Sequence, residues 1–511
     1  MADEVKDPLY IAVDLGAGSG RVFVAGMLPS EQLLEEVSRF QYAPVNGNRH
    51  LRWNAARIFT DVITGLRKAS DWARRHGRRI SSIGVDSWGT DYGLIDRDGN
   101  LCENPVCYRD KRTQSTMEAV FRQVSRDEIF SRTGIQFLVF NTLFQLCAHM
   151  NEGLPENATR LLLIPDLMNF LLTGQVAAEY TNATTTQMMN AQTGSWDNEL
   201  LAALNLPRRL LANIIPTGTD LGPLKADVAH SVRLNQVRVI ATATHDTASA
   251  VAGAPLESGF AYISSGTWSL VGVERSQPII NSLVASRNFT NEGGAFGTFR
   301  FLKNVMGLWI LESCRNEWKQ NGLNTDYDRL LAQAAGLEEA PCFIFPDDPR
   351  FLNPASMLQA VSEHLLESGQ PVPTDLPSIT RVILDSLAFR YASVLSNIQS
   401  LTGERIRGVH IVGGGSRNDY LNQMTANASG LSVLAGPVEA AVIGNALVQA
   451  IASGRFSSLA EGRAHVARNV RIKRFTPHQT EASREAFRRY GAVEARYTED
   501  EAGLLAPNIT R

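Results

Sequence analysis

The chain has 511 residues, with 49 Lys and Arg against 52 Asp and Glu, and a formal net charge of -3. So even a balance supplies no basic field to hold nucleic acid or an anionic membrane, and no apolar run approaches the roughly 18 residues of a membrane span. Five cysteines without a C-x-x-C spacing fit neither a disulfide framework nor a zinc site. The opening residues 1–8 are polar and charged, unlike a secretory signal. A cytoplasmic protein of two to four domains is expected, with neither nucleic acid nor a membrane as partner.

Residues 10–15 read as a strand ending at a carboxylate, Asp14, followed by the tight turn Gly16-Ala-Gly-Ser-Gly20 and a return strand over 21–25. A strand follows the glycines, not a helix, so this is not a dinucleotide fingerprint. No Gly-Lys-Ser/Thr is present, so it is not a P-loop. The turn amides could face phosphate oxygens, or the hairpin could simply need positive φ. A third strand is expected over 33–40 and an amphipathic helix over 55–75, from Ile58, Val62, Leu66 and Ala69. Residues 80–86 form another strand ending in an acid, and 92–95 are expected to continue the sheet. The order hairpin, strand, helix, strand implies a mixed sheet with helices on its faces.

Residues 101–236 read as helices and loops. The polar runs 105–113, 141–145 and 180–186 could line a sugar pocket; caps and surface turns are the more ordinary use and are the expectation here. A buried strand then spans 237–243, with Asp246 just beyond its end between His245 and Thr247. Small residues follow, suited to a helix packed closely on a neighbour. Next comes a second hairpin, 261–273, around Ser265-Gly-Thr267. Such a turn offers amides and hydroxyls to a phosphate. An acid beside it suggests phosphoryl transfer to a hydroxyl; a capping Asp and an ordinary hairpin are the alternative.

The two hairpins lie about half a chain apart, which suggests a pseudo-repeat. A long amphipathic helix is expected over 378–401, then a strand over 408–412 and the turn Gly413-Gly-Gly-Ser-Arg-Asn418. Three glycines there allow either close approach of a ligand or close helix–strand packing. A strand over 431–435 and a small-residue helix from 439 follow. The basic residues after 463 alternate with Val and Ile and read as a solvated face.

Taken together, Val13-Asp-Leu-Gly-Ala-Gly-Ser-Gly-Arg21, Ile83-Gly-Val-Asp-Ser-Trp-Gly-Thr-Asp91, Glu179-Tyr-Thr-Asn-Ala-Thr-Thr-Thr-Gln187, His245-Asp-Thr-Ala-Ser-Ala250, Ser264-Ser-Gly-Thr-Trp-Ser269, Thr290-Asn-Glu-Gly-Gly294, Leu302-Lys-Asn-Val-Met-Gly-Leu-Trp309, His410-Ile-Val-Gly-Gly-Gly415 and Ala435-Gly-Pro-Val-Glu-Ala440 resemble the FGGY carbohydrate kinases. The likeness runs over about 9–475 and is greatest to the branch acting on L-rhamnulose. It implies an α/β fold of two ribonuclease-H-like domains of the actin-like ATPase superfamily around a central cleft. The divisions it implies are 1–250, with the sugar side and first phosphate loop, 251–475, with the nucleotide side, and a helical tail 476–511.

It also implies transfer of the ATP γ-phosphate to the 1-hydroxyl of L-rhamnulose, with Mg2+. Asp246 matches the catalytic base, and Gly89, His245, Thr247 and Asn304 match sugar contacts. Ala17, Gly18, Ser19, Gly20, Arg21, Thr267, Glu312 and Gly414 match the ATP site, and Asp14 the acid that holds Mg2+ through water. Two positions depart from the pattern. Gly18 stands where a Ser is usual, and Glu312 where an uncharged amide is expected.

Overall fold

The computed structural model describes residues 8–28, 32–47, 49–337, 340 and 342–503. The opening residues 1–7 and the end of the expected helical tail, 504–511, lie outside the described residues. By internal contacts the chain divides into two units. The first is Met1–Pro255, Glu274–Phe301 and Glu439–Val470; the second is Leu256–Val273, Leu302–Val438 and Arg471–Arg511.

In the first unit the strands lie in the order Gln32–Gln41, Ser19–Met27, Leu9–Leu15, Ile80–Ser87, Arg238–Ala241, Thr219–Pro223. The first three form an antiparallel meander. Leu9–Leu15, Ile80–Ser87 and Arg238–Ala241 run parallel, and Thr219–Pro223 closes the edge antiparallel. Leu9–Leu15 is buried along its whole length, as its nearly unbroken apolar run requires of a strand covered on both faces. One cover is the amphipathic helix Ala55–Arg75, which buries Ile58, Val62, Leu66 and Ala69 and is capped by the Asn54 side chain accepting from Arg57 N. Against Tyr10, Ala25 and Met27 pack Ile443, Ala446, Leu447 and Ala450 of the helix Ala440–Ala452.

In the second unit the strands follow the order Phe299–Met306, Trp268–Arg275, Phe260–Ser265, Gly408–Val412, Val433–Ala435, Lys473–Phe475. Phe260–Ser265 again pairs antiparallel with its hairpin partner and parallel with Gly408–Val412, and the last strand is antiparallel. The strand order therefore repeats, as the paired hairpins suggested. The helix Leu376–Thr402 starts at Asp375, whose side chain caps Ser378 N, and stops at left-handed Gly403. The tail helix Glu481–Gly503 buries Tyr490 against Phe343 and Phe389. Among the described residues no helix is long and apolar enough to cross a membrane.

Two expectations need correction. Tyr92–Ile95 does not continue the large sheet; it pairs antiparallel with Arg160–Leu163 in a sheet of its own. Alternation marks a strand but does not choose its partner. The polar runs at 141–145 and 180–186 are not on the surface. Asn141, Thr142, Gln145, Thr181, Asn182 and Thr184 to Gln187 are all buried. Their hydrogen bonds are made inside the protein, so polar composition misled.

Candidate functional site

Three acids gather where the parallel strands of the first unit end. Asp14 lies opposite Asp86 in the parallel register and opposite Arg21 across the hairpin. Ser87 N bonds Thr244 O at 2.8 Å, which fixes the next chain end, where His245 immediately precedes the helix Asp246–Gly253 with no side-chain capping bond. Carboxyl ends of parallel strands are the usual place for ligands in open α/β sheets.

Arg21 is held between Asp14 and Glu439 in two short ion pairs. Burial disfavours its charge, but the two carboxylates outweigh burial and hold it above its ordinary value. Asp86 is fully buried and accepts from Asn445 Nδ2 at 2.6 Å. Burial first, and Asp14 second, push Asp86 well above the usual carboxylate range. Asp246 is pushed up to about 7, again by burial and then by Asp14. Its side chain keeps 32% of its surface open, so this carboxylate is enclosed on one side and reachable from the other. Thr247 Oγ1 donates to Asp246 Oδ1 at 3.2 Å.

A buried acid pins this chain end. Glu179 Oε2 accepts from Thr244 N at 3.0 Å, Thr244 Oγ1 at 2.9 Å and Thr181 Oγ1 at 2.6 Å. Gly89 sits beside the same place. A Cβ built there would lie 3.2 Å from Thr185 Oγ1, 3.4 Å from Asn182 Oδ1 and 3.6 Å from His245 Nε2. Thr90, next to it, is left-handed at φ 71, an uncommon state for a β-branched residue. It is braced by Thr142 Oγ1 donating to Thr90 O at 2.7 Å and Asp91 N to Gly89 O at 2.9 Å. Asp91 in turn accepts from the indoles of Trp53 and Trp88, from Tyr108 N and from Gln145 Nε2.

Gly89, His245, Asp246 and Thr247 thus converge with Asn182 and Thr185, which the sequence reading had not singled out. Asn182 Nδ2 is buried with no partner among the described residues. Asp86, Glu292 and Arg300 were also missed as site residues, although Asp86 and Glu292 stand inside motifs noted in the sequence.

The hairpin turn at 16–19 is closed by Gly16 N to Ser19 O at 2.9 Å and Gly18 N to Gly16 O at 2.8 Å, with Tyr42 Oη donating to Gly16 O at 2.7 Å. A Cβ on Gly18 would meet nothing within 4 Å, so the Ser usual at this position would fit.

In the second unit the turn Ser265-Gly-Thr267 is braced from one segment: Gly307 N donates to Thr267 O at 3.1 Å, Leu308 N to Gly266 O at 2.9 Å and Trp309 N to Thr267 O at 3.2 Å. Thr267 itself is exposed. Asn304 lies in the strand Phe299–Met306 leading into that brace, and Glu312 in the helix Trp309–Gln320 that leaves it, half exposed and paired with Arg315. The three glycines divide their work. A Cβ on Gly413 would lie 2.9 Å from Ser265 O and one on Gly415 2.0 Å from Ser265 Oγ, whereas one on Gly414 would meet nothing within 4 Å. Gly413 and Gly415 serve packing, and Gly414 is open to an approaching ligand.

Among the described residues no cluster of three or more His, Cys, Asp or Glu side chains is spaced to grip a metal directly. Asp14 is ion-paired with Arg21, and its charge helps push the neighbouring Asp86 and Asp246 toward their neutral forms. A carboxylate so placed at the strand end fits a divalent ion held through its water shell, the usual habit of Mg2+.

The N-terminal-domain description of the FGGY family of carbohydrate kinases matches residues 9–253, and its C-terminal-domain description matches residues 261–453. A rhamnulokinase of Bacteroides thetaiotaomicron is 42% identical over 476 residues, covering 93% of this chain and 96% of that protein. A rhamnulokinase of Ligilactobacillus salivarius is 40% identical over 478 residues, with the same coverage of 93% and 96%. Among solved structures, a gluconate kinase from Lactobacillus acidophilus superposes with a TM-score of 0.78 at 16% identity, covering 98% of this chain and 99% of that one. A xylulose kinase from Rhodospirillum rubrum gives 0.76 at 18% identity, covering 97% and 99%. The structural likeness bears on the fold, a two-domain α/β arrangement; the sequence matches span nearly the whole chain, which belongs to the FGGY family of carbohydrate kinases.

Proposed function

We propose that this chain transfers the γ-phosphate of ATP to the 1-hydroxyl of L-rhamnulose, giving L-rhamnulose 1-phosphate and ADP in rhamnose catabolism in the cytoplasm. The observation that carries the chemistry is Asp246, a carboxylate at a strand end whose pKa is pushed up to about 7. A base poised near the working pH is what proton removal from a sugar hydroxyl needs. The choice of sugar rests on the rhamnulokinase relatives.

On this reading Asp246 accepts the hydroxyl proton while His245, Thr247, Gly89 and Asn304 orient the sugar. Ala17 to Arg21, Thr267, Glu312 and Gly414 hold ATP. Phosphoryl transfer passes through a loose transition state, so positioning and charge stabilisation do most of the work. Mg2+, held through water by Asp14, would neutralise phosphate charge when bound. The functional division is the one read from the sequence, with the sugar side and first phosphate loop in 1–250, the nucleotide side in 251–475 and a helical tail beyond.

ATP turnover against a panel of ketoses and polyols tests the reading. L-rhamnulose is expected to give the highest kcat/KM, and the product's phosphorus NMR should show a phosphate on C1. A higher kcat/KM for xylulose or glycerol would remove the sugar assignment. The pH dependence tests the base. The carboxylate form does the work and its pKa is raised, so activity is lost as pH falls through about 7 and is full above it. With both substrates far below saturation, kcat/KM should show an acid limb near that value. A profile flat down to the ordinary carboxylate range would mean that Asp246 does not act as the base.

A further inference from the structure

His245 lies between Asp246 and a buried ion pair. Its Nδ1 is 3.0 Å from Arg300 Nη2 and 3.5 Å from Glu292 Oε2. The Arg300 side chain has no exposed surface. Its Nη2 lies 3.1 Å from Glu292 Oε2, and its Nε donates to Gly293 O at 2.9 Å, so the guanidinium is fixed from two sides. A guanidinium only donates and does not lose its proton. At 3.0 Å the imidazole Nδ1 must therefore accept, because a proton there would oppose the guanidinium N–H. A neutral imidazole then carries its single proton on Nε2. Nε2 is the atom near Asp246 Oδ1, at 3.6 Å, and near Gly89.

We infer that Arg300, anchored by Glu292, is a positioning residue that locks His245 as a neutral donor, with Nε2–H presented to a sugar hydroxyl beside the one that Asp246 deprotonates. The sugar half of this statement rests on the proposed function; the lock does not. The groups that face His245 are Asp246 on its own helix, Glu292 and Arg300 from the 290–301 segment, and Thr181, whose Oγ1 accepts from His245 N at 3.3 Å. Glu179 lies one residue behind, on Thr244. Burial and then Arg300 push the His245 pKa well below the ordinary value, which keeps the ring uncharged. The lock has a chemical use. An imidazolium so close to Asp246 would favour its ionised form and weaken it as a base, and the other tautomer would offer the sugar an acceptor where a donor is required.

Nitrogen-detected NMR of the whole protein, with the histidine rings labelled, reads the tautomer directly; the His245 signals are assigned by their loss in His245→Gln. In the native protein Nδ1 should be of the unprotonated type and Nε2 of the protonated type, unchanged over about pH 6 to 8. Arg300→Lys should keep that pattern, because an ammonium also only donates. Arg300→Met should free Nδ1 and remove the guanidinium that stands between His245 and Glu292, so the ring takes up a second proton as pH falls. Turnover of sugar should then drop by about 10- to 100-fold, the loss seen when the partner that orients a metal-bound histidine is removed, with Arg300→Lys restoring most of it. A proton on Nδ1 in the native protein overturns the lock. So does a folded Arg300→Met protein with native tautomer, native pH profile and native kcat. If Arg300→Met does not fold, the native spectrum alone decides. A native spectrum as expected in a protein inactive on every ketose would keep the lock and discard the function reading.

Discussion

Asp246→Asn is expected to leave the fold and most nucleotide affinity intact while kcat falls by about 10²–10⁴, the range lost with a positioned general base. The side chains are nearly isosteric, and Asn also accepts from Thr247 Oγ1, so the local hydrogen bond survives. What Asn cannot do is take a proton. The loss should lie in the lower half of the range, because a loose transition state moves the proton late. Stability should not fall. Burial and Asp14 both disfavour the native carboxylate, so a neutral amide relieves strain between charges. The acid limb near pH 7 should vanish in the same variant, which separates loss of the base from general damage. A variant with an unchanged melting temperature that turns over sugar within about threefold of the parent would make Asp246 a helix-end acid and not the base.

Much of the frame was legible because short-range rules decide it. Two apolar runs around a glycine turn can only form a hairpin, and this holds at Leu9–Leu15 with Ser19–Met27 and again at Phe260–Ser265 with Trp268–Arg275. The acids at strand ends, Asp14 and Asp86, could be read for the same reason. Partners could not be read. Asp86 finds Asn445 at a separation of 359 residues, and His245 finds Arg300 at 55. Those pairings follow from strand order, which no local window contains.

The buried polar runs failed for a related reason. Thr and Asn are common in surface turns, and only the completed fold supplies the partners that let Thr181, Thr185 and Gln187 lie inside. The triple glycine shows the limit most sharply. Sequence offered ligand approach or packing for the whole turn, and the structure assigns packing to Gly413 and Gly415 and openness to Gly414.

The second large effect is expected at Gly444, a residue with no proposed contact to sugar or nucleotide. The helices Asp246–Gly253 and Ala440–Ala452 meet backbone to backbone. A Cβ on Gly444 would stand 1.8 Å from Ser249 O and 2.7 Å from Ser249 C, and one on Gly253 would stand 2.2 Å from Ala440 O. No rotamer change relieves a clash with backbone, so Gly444→Ala must push the helices apart. Overpacking of this kind costs about 1–3 kcal/mol and sometimes more. The gain of about 1 kcal/mol from replacing Gly in a helix offsets only part of it. With a backbone clash at the upper end of that range the net fall is about 2 kcal/mol, which lowers the melting temperature by roughly 3 °C for a unit of about 300 residues.

Turnover should fall too, because the displaced helix begins at Asp246. A shift of about 1 Å at a reacting group can cost about a hundredfold. Gly491, in the helix Glu481–Gly503, is the control. A Cβ there meets nothing within 4 Å, so the same Gly→Ala change should stabilise slightly and leave turnover alone. If Gly444→Ala melted with the parent and kept its kcat, the two helices could not be packed as closely as described, and the placement of Asp246 by that contact would fall with them.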